Sequence, residues 1–150
     1  MVGGHSFGGG TAIGSAVRDS RIKACVPMDP WLFPYEKELH KLILKNTPIF
    51  SIQSWTWYSY CDTYKDCTHN CKKVTDDFFR NCKNKGNLDT QQVQIRDTVH
   101  SSQYDKAVLT PVEFHIRDNG LSAPREEKEV ADLYLLNSWL QMDFLLQVGM

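Results

Sequence analysis

The chain has 150 residues, with 17 Lys and Arg against 18 Asp and Glu, so its formal net charge is −1 at pH 7. The basic residues are scattered and form no stripe, which gives no reason to expect a nucleic-acid partner. No run of about 18 apolar residues occurs, so no transmembrane helix is predicted. The first residues lack the charged and apolar regions of a signal peptide, and the compartment is left open.

A Gly-x-Ser-x-Gly motif opens the chain, with Ser6 between Gly4 and Gly8. This pattern is typical of a nucleophile elbow, a sharp turn from a strand into a helix that exposes the serine hydroxyl at the edge of a sheet. Glycine is expected at both flanking positions, because a side chain there would collide with the adjacent strand or with the start of the helix. The backbone N–H of Phe7 is expected to be one donor of an oxyanion hole. A structural glycine-rich loop is the alternative interpretation.

Apolar runs bounded by turn residues predict the remaining elements in chain order. The predicted strands cover residues 1–3, 22–28, 48–54 and 91–95. Helices are predicted over residues 8–19, around 75–80 and over 124–146, with a short helix or turn at 36–44. The last strand is the most polar and is therefore expected near a sheet edge. One face of the last helix is expected to be apolar, formed by Val130, Leu133, Leu136, Leu140 and Phe144.

Two segments together resemble one particular protein family. The sequence Gly-His-Ser-Phe-Gly-Gly at residues 4–9 is followed by a short strand and by Asp-Pro-Trp-Leu-Phe-Pro at residues 29–34. They resemble the platelet-activating factor acetylhydrolases, which are serine-dependent phospholipases of the α/β-hydrolase fold. The resemblance implies that residues 1–150 are a partial α/β-hydrolase domain, the C-terminal part of a doubly wound, mostly parallel sheet. Since an elbow normally follows several strands, the N-terminal strands are expected to be missing, and the open sheet edge favours aggregation.

Three residues follow the order nucleophile, acid, histidine of the α/β-hydrolases. Ser6 is the candidate nucleophile, Asp29 at the end of the second strand is the candidate acid, and His100 after the last strand is the candidate base. The segment 96–105 is similar to the part of the acetylhydrolases that carries the catalytic histidine. Because serine is the nucleophile, we expect neither a metal nor a cofactor.

Other titratable residues compete for these roles. His115 follows a possible strand and is the serious rival to His100 as the base, while Asp97 is a rival acid. His5 adjoins the nucleophile in sequence and is expected to point away from it, as a packing residue. The remaining histidines are expected to face solvent: His40 and His69.

Aromatic residues follow the ends of the second and third predicted strands. Trp31 and Phe33 come directly after Asp29 and are expected to line the substrate pocket, as the same loop does in the resembling family; a place in the core is the alternative. Trp55 and Trp57 follow the third strand and are predicted to be either core or membrane-facing surface.

Four of the five cysteines cluster in the second half of the chain, with His69 between them. Their spacing is poor for a tetrahedral zinc site, and two disulfides or free thiols fit equally well. Cys25, in a predicted buried strand, is expected to be a small apolar core residue. The four clustered residues are Cys61, Cys67, Cys71 and Cys82.

The resemblance implies a calcium-independent hydrolysis of a short or oxidised sn-2 acyl ester of a phospholipid. The expected partner is that phospholipid, at a lipid surface, and no protein partner is inferred. The alternatives are a generic carboxylesterase similar to dienelactone hydrolase, or a catalytically dead remnant. The second oxyanion donor is expected from a loop outside this sequence, and losing one donor costs on the order of 10²–10³ in turnover. We therefore expect this chain alone to be nearly inactive.

Overall fold

A computed structural model of the chain describes residues 1–58, 71–96, 98–100 and 127–149. Within them, four strands form one sheet in which every neighbouring pair is parallel. This arrangement, with helices between the strands, confirms the predicted α/β fold. In sheet order the strands are β1 (Val2–His5), β2 (Cys25–Met28), β3 (Ile49–Ser54) and β4 (Thr90–Ile95).

One helix is clearly longer than the sequence predicts. The helix predicted around residues 75–80 runs from Cys71 to Asn84, because Lys72 and Lys73 pair with acidic residues one turn later. No helix among the described residues is long and apolar enough to cross a membrane. The helices are α1 (Phe7–Arg18), α2 (Trp55–Tyr58), α3 (Cys71–Asn84) and α4 (Glu127–Gln147), with a 3-10 segment at Phe33–Lys41.

Apolar side chains alternate between the two faces of the sheet and build a core on each. Cys25 and Ile49 contribute to the core that includes α1, α3 and the 3-10 segment. Their neighbours in sequence, Val26 and Phe50, contribute to the core on the α4 side, where the rings of Phe50 and Phe144 stack at 5.2 Å. Side chains of successive strand residues point to opposite faces, so a strand covered on both sides reads as a continuous apolar run.

The predicted buried face of α4 is only partly correct. Leu140 packs on the sheet and Phe144 is 1% exposed, but Leu136 is 44% exposed. The helix reaches the sheet through its last turns, which the sequence period alone does not show. The side chains of Val130 and Leu133 lie outside the described residues.

The cysteines do not form one site. Cys71 begins α3 and Cys82 lies near its other end, so at 1.5 Å per residue they are about 16 Å apart and cannot share a zinc ion. Cys82 is fully buried in the core beside α1, as is Cys25, whose pKa is raised to about 12 mainly by burial. Cys61, Cys67 and His69 lie outside the described residues.

Candidate active site

The serine of the elbow is held in a backbone conformation that side chains rarely adopt. Ser6 has φ 56° and ψ −119°. Its N–H donates to the carbonyl of Met28 at 2.9 Å, and its own carbonyl accepts the N–H groups of Gly9 at 3.0 Å, Gly10 at 3.2 Å and Trp31 at 2.9 Å. Four backbone hydrogen bonds therefore fix the strained residue between β1 and α1, which is the geometry of a nucleophile elbow.

The steric requirement that the motif predicts holds for Gly4, whose Cβ would collide with the start of α1, but not for Gly8. A Cβ on Gly4 would lie 2.5 Å from the backbone carbonyl of Gly8, and one on Gly10 would lie 2.6 Å from the carbonyl oxygen of Trp31. A Cβ on Gly8, by contrast, would meet no atom within 4 Å. The predicted collision at Gly8 is therefore wrong: its backbone crowds Gly4, while its own Cβ position is open.

Asp29 directly follows β2, and its fully buried carboxylate accepts hydrogen bonds from three donors. Its Oδ1 accepts the N–H of Ser54 at 2.6 Å, and its Oδ2 accepts the Ser54 hydroxyl at 2.7 Å and Nδ1–H of His100 at 3.1 Å. Buried charge is tolerated where its oxygens are satisfied in this way. Ser54 is absent from the sequence-based candidates; its position at the end of β3, beside the end of β2, is the signal that would have found it.

The His100 ring is placed by a turn that follows β4. The Thr98 hydroxyl donates to the carbonyl of Ile95 at 2.6 Å and accepts the N–H of Trp55 at 3.1 Å, while the Thr98 carbonyl accepts the N–H of Thr56 at 3.1 Å. Thr98 thus binds the first N–H groups of α2, which have no partner inside that helix. These hydrogen bonds connect the turn to α2. They also fix His100, two residues after Thr98, relative to both.

The hydrogen bond to Asp29 sets the tautomer of His100. A carboxylate oxygen only accepts, so Nδ1 carries the proton and Nε2 is left as the nitrogen that can accept one. Among the described residues, no hydrogen bond joins the Ser6 hydroxyl to His100. The rival candidates Asp97 and His115 lie outside the described residues, and His40 is exposed on the 3-10 segment as predicted.

Two further aromatic rings contact the His100 imidazole. His5 donates Nε2–H to the His100 carbonyl at 3.0 Å, and the two rings are 4.3 Å apart. The indole of Trp57 stacks on the imidazole with centroids 3.9 Å apart and planes 17° from parallel. His5 is therefore part of the site, where the sequence predicted only packing, and Trp57 is half-buried against His100.

The pKa of His5 is lowered to about 4, first by burial and then by the neighbouring His100, against the opposing effect of Asp29. Its imidazole is therefore neutral at pH 7, with one proton on Nε2. Ligand atoms of these three residues lie within 4.8 Å of one another. Two of the nitrogens already carry protons that are donated to acceptors, so the donor set suits hydrogen bonding better than metal binding, and the expected lack of a metal stays a prediction.

Apolar rings lie next to the elbow. Phe7 is 64% exposed, and its ring lies 5.8 Å from that of Trp31, which in turn stacks on Phe33 at 6.3 Å. The Phe7 N–H is the first of α1, where no intrahelical acceptor exists. The residue after Ser6 thus brings both an exposed apolar ring and a backbone donor without an intrahelical acceptor to the start of α1.

Comparison with known proteins identifies the family of the chain. The sequence profile described as "Platelet-activating factor acetylhydrolase, isoform II" matches residues 1–127. A platelet-activating factor acetylhydrolase from Cavia porcellus is 40% identical over 62 residues, which is 41% of this chain and 14% of that protein. One from Bos taurus is 39% identical over 51 residues, or 34% of this chain and 11% of that protein. The matches to these curated relatives thus span about an eighth of their length.

Proposed function

Because the chain belongs to the platelet-activating factor acetylhydrolase family, we propose that it carries the nucleophile, acid and base of a serine esterase that removes a short or oxidised sn-2 acyl group from a phospholipid. Ser6 is the nucleophile, His100 the base and Asp29 the residue that orients the base. The observation that supports these roles best is the 3.1 Å hydrogen bond from His100 Nδ1 to the buried Asp29 carboxylate.

The proposed reaction has two halves. The Ser6 Oγ attacks the ester carbonyl carbon while His100 Nε2 takes the hydroxyl proton. The charge that develops on the carbonyl oxygen faces the Phe7 N–H. The tetrahedral intermediate expels the glycerol alcohol, which receives the proton from His100. Water then attacks the acyl-serine by the same route, which releases the carboxylic acid and restores Ser6.

Asp29 acts throughout by hydrogen bonding. Its Oδ2 keeps the proton of His100 on Nδ1, so that Nε2 remains the basic nitrogen, and it stabilises the imidazolium that forms when Nε2 is protonated. Ser54 holds the carboxylate through two donors, so Asp29 cannot rotate away from the histidine without breaking both. Trp31 and Phe33 supply an apolar wall for the acyl chain or the glycerol backbone.

The first prediction concerns the nucleophile. In the natural protein that carries this sequence, we expect Ser6→Ala to reduce hydrolysis of a 2-acetyl phospholipid by about 10⁴-fold or more, because the covalent step is lost. Binding of a non-hydrolysable analogue is expected to persist, since the pocket is retained. A fluorophosphonate should label the unmodified protein at Ser6 and leave the variant unlabelled, as measured by peptide mass.

Ser15→Ala is the matched control, because Ser15 lies within α1, the helix that follows the elbow, and away from Ser6. Wild-type turnover in Ser6→Ala would contradict serine catalysis at this residue. Turnover of small aryl esters without turnover of the phospholipid would favour the carboxylesterase alternative. An unmodified protein with neither labelling nor turnover would identify a dead remnant.

A further inference from the structure

We propose, on the basis of the proposed function, that Trp57 is a positioning residue for the base: its indole holds the His100 imidazole in the plane in which Nδ1 faces Asp29, and it stabilises the imidazolium formed during each turnover. The contact that supports this is the nearly parallel stack of the two rings at 3.9 Å.

The stack restrains the imidazole on one face, and His5 restrains it from another side. One face of an imidazole has room for a single ring at this distance, so the His5 ring, 4.3 Å away and tilted by 36°, contacts it elsewhere. His5 also binds the His100 backbone through Nε2–H. Trp57 and His5 thus contact the His100 ring, His5 also binds the His100 carbonyl, Asp29 binds Nδ1, and Nε2 is left for chemistry.

The position of Trp57 depends on the same turn that places His100. Thr98 accepts the N–H groups of Trp55 and Thr56, which begin α2, and Trp57 is the next residue. The turn that presents His100 therefore also presents the ring that covers it. Within the described part of the chain, the buried indole Nε1–H of Trp57 has no acceptor. A buried indole N–H ordinarily finds an acceptor, so in the described part of the chain the stack on His100, and no hydrogen bond of the indole, accounts for the placement of this half-buried ring.

The electronic effect of an indole differs from that of an aliphatic side chain of similar size. The face of an indole carries partial negative charge and attracts a cation above it. When His100 takes the serine proton, its positive charge lies under this face, with the Asp29 carboxylate at its edge. His5 is uncharged at neutral pH because its pKa is lowered to about 4, so it does not oppose that charge.

The test compares Trp57→Phe with Trp57→Leu in the natural protein. Phe keeps a ring that can stack, while Leu fills apolar space without one. We expect kcat for a 2-acetyl phospholipid to fall about tenfold in Trp57→Leu and less than about threefold in Trp57→Phe, with KM nearly unchanged in both. Trp55→Leu and Trp55→Phe are the controls, because Trp55 lies on the same short helix and is 45% exposed.

A second measurement separates this inference from the proposed function. In the Ser6→Ala background, the ring protons of His100 should show the upfield NMR shift that a stacked indole causes, and Trp57→Leu should remove it. Equal kcat for the Leu and Phe variants, or no change in the His100 shift, would overturn the positioning role while serine catalysis stands. If the natural protein is inactive but Trp57→Leu still removes the upfield shift of His100, the esterase proposal is overturned. The stacking of Trp57 on His100 then stands.

Discussion

His5 makes the folding free energy depend on pH, because its neutral form is the one that the folded site accommodates. Its pKa falls from an ordinary 6.5 to about 4 on folding, mainly through burial. Between these two pH values the unfolded chain binds more protons than the folded one, so the free energy of unfolding decreases as pH falls from 6.5 towards 4. A difference of one pKa unit between the folded and the unfolded state corresponds to about 1.4 kcal/mol of the free energy of unfolding.

His5→Gln tests this dependence, since the glutamine amide keeps a donor for the His100 carbonyl but does not titrate. Between pH 7 and pH 5, we expect the variant to lose about 2 kcal/mol less stability than the unmodified protein, as measured by urea denaturation. His40→Gln, on the exposed 3-10 segment, is the matched control for replacing a histidine by glutamine. Identical slopes for His5→Gln and the unmodified protein would show that the pKa of His5 does not change on folding.

The sequence indicated some site residues and missed others for a physical reason. Ser6, Asp29 and His100 were candidates because each follows a predicted strand, and the carboxyl ends of parallel strands meet at one edge. The structure brings Asp29 and His100 into hydrogen-bond contact, while their catalytic roles and that of Ser6 stay predictions. The contact of Trp57 with His100 was missed because it depends on the turn at Thr98, which no local pattern encodes, whereas Ser54 was overlooked although the predicted end of β3 pointed to it.

At the scale of elements, the junction of β1 and α1 requires the backbone of Gly8 to lie close to the Cα of Gly4. A methyl group on Gly4 would lie 2.5 Å from the Gly8 carbonyl, and backbone atoms cannot yield as a flexible side chain can. We expect Gly4→Ala to destabilise the protein by about 2 kcal/mol or more. The Tm and the urea midpoint measure this change.

Gly8→Ala is the matched substitution at the other end of the motif. Its Cβ meets open space and the residue lies in the first turn of α1, so the reduced entropy of the unfolded chain should stabilise the protein by about 0.5–1 kcal/mol. Equal destabilisation by both substitutions would support the original reading of the motif, in which both glycines avoid collisions. The opposite signs expected here separate the two interpretations.

The bounds of β3, predicted at residues 48–54 and observed at Ile49–Ser54, were predicted to within one residue, although Ser51 and Gln53 interrupt its apolar pattern. The helices were predicted less well, because their ends depend on contacts outside the local sequence. Helix α3 is longer than predicted because its polar residues form ion pairs along the exposed side while Val74 and Phe78 are buried. In α4 the periodicity identified Leu140 and Phe144 correctly but placed Leu136, which is 44% exposed, on the same buried face.

At the scale of the whole molecule, α4 carries a second apolar stripe opposite the buried one. Its residues recur at intervals of four, three and four, which places them on one side of a helix. Trp139 is 74% exposed and Leu146 is 70% exposed, whereas Phe144 on the other side is 1% exposed. A contiguous exposed stripe of this kind favours association. The stripe consists of Leu135, Trp139, Met142 and Leu146.

We therefore expect the 150-residue chain alone to self-associate as its concentration rises, because pairing of the stripes removes apolar surface from water. Trp139→Glu should raise the apparent dissociation constant about tenfold or more, since a buried aromatic residue dominates such an interface. Leu88→Glu is the control: Leu88 is 86% exposed but lies before β4, away from the stripe. Sedimentation equilibrium measures the association, and a chain that stays monomeric at every concentration, or that responds equally to both substitutions, would show that the α4 stripe is not the contact.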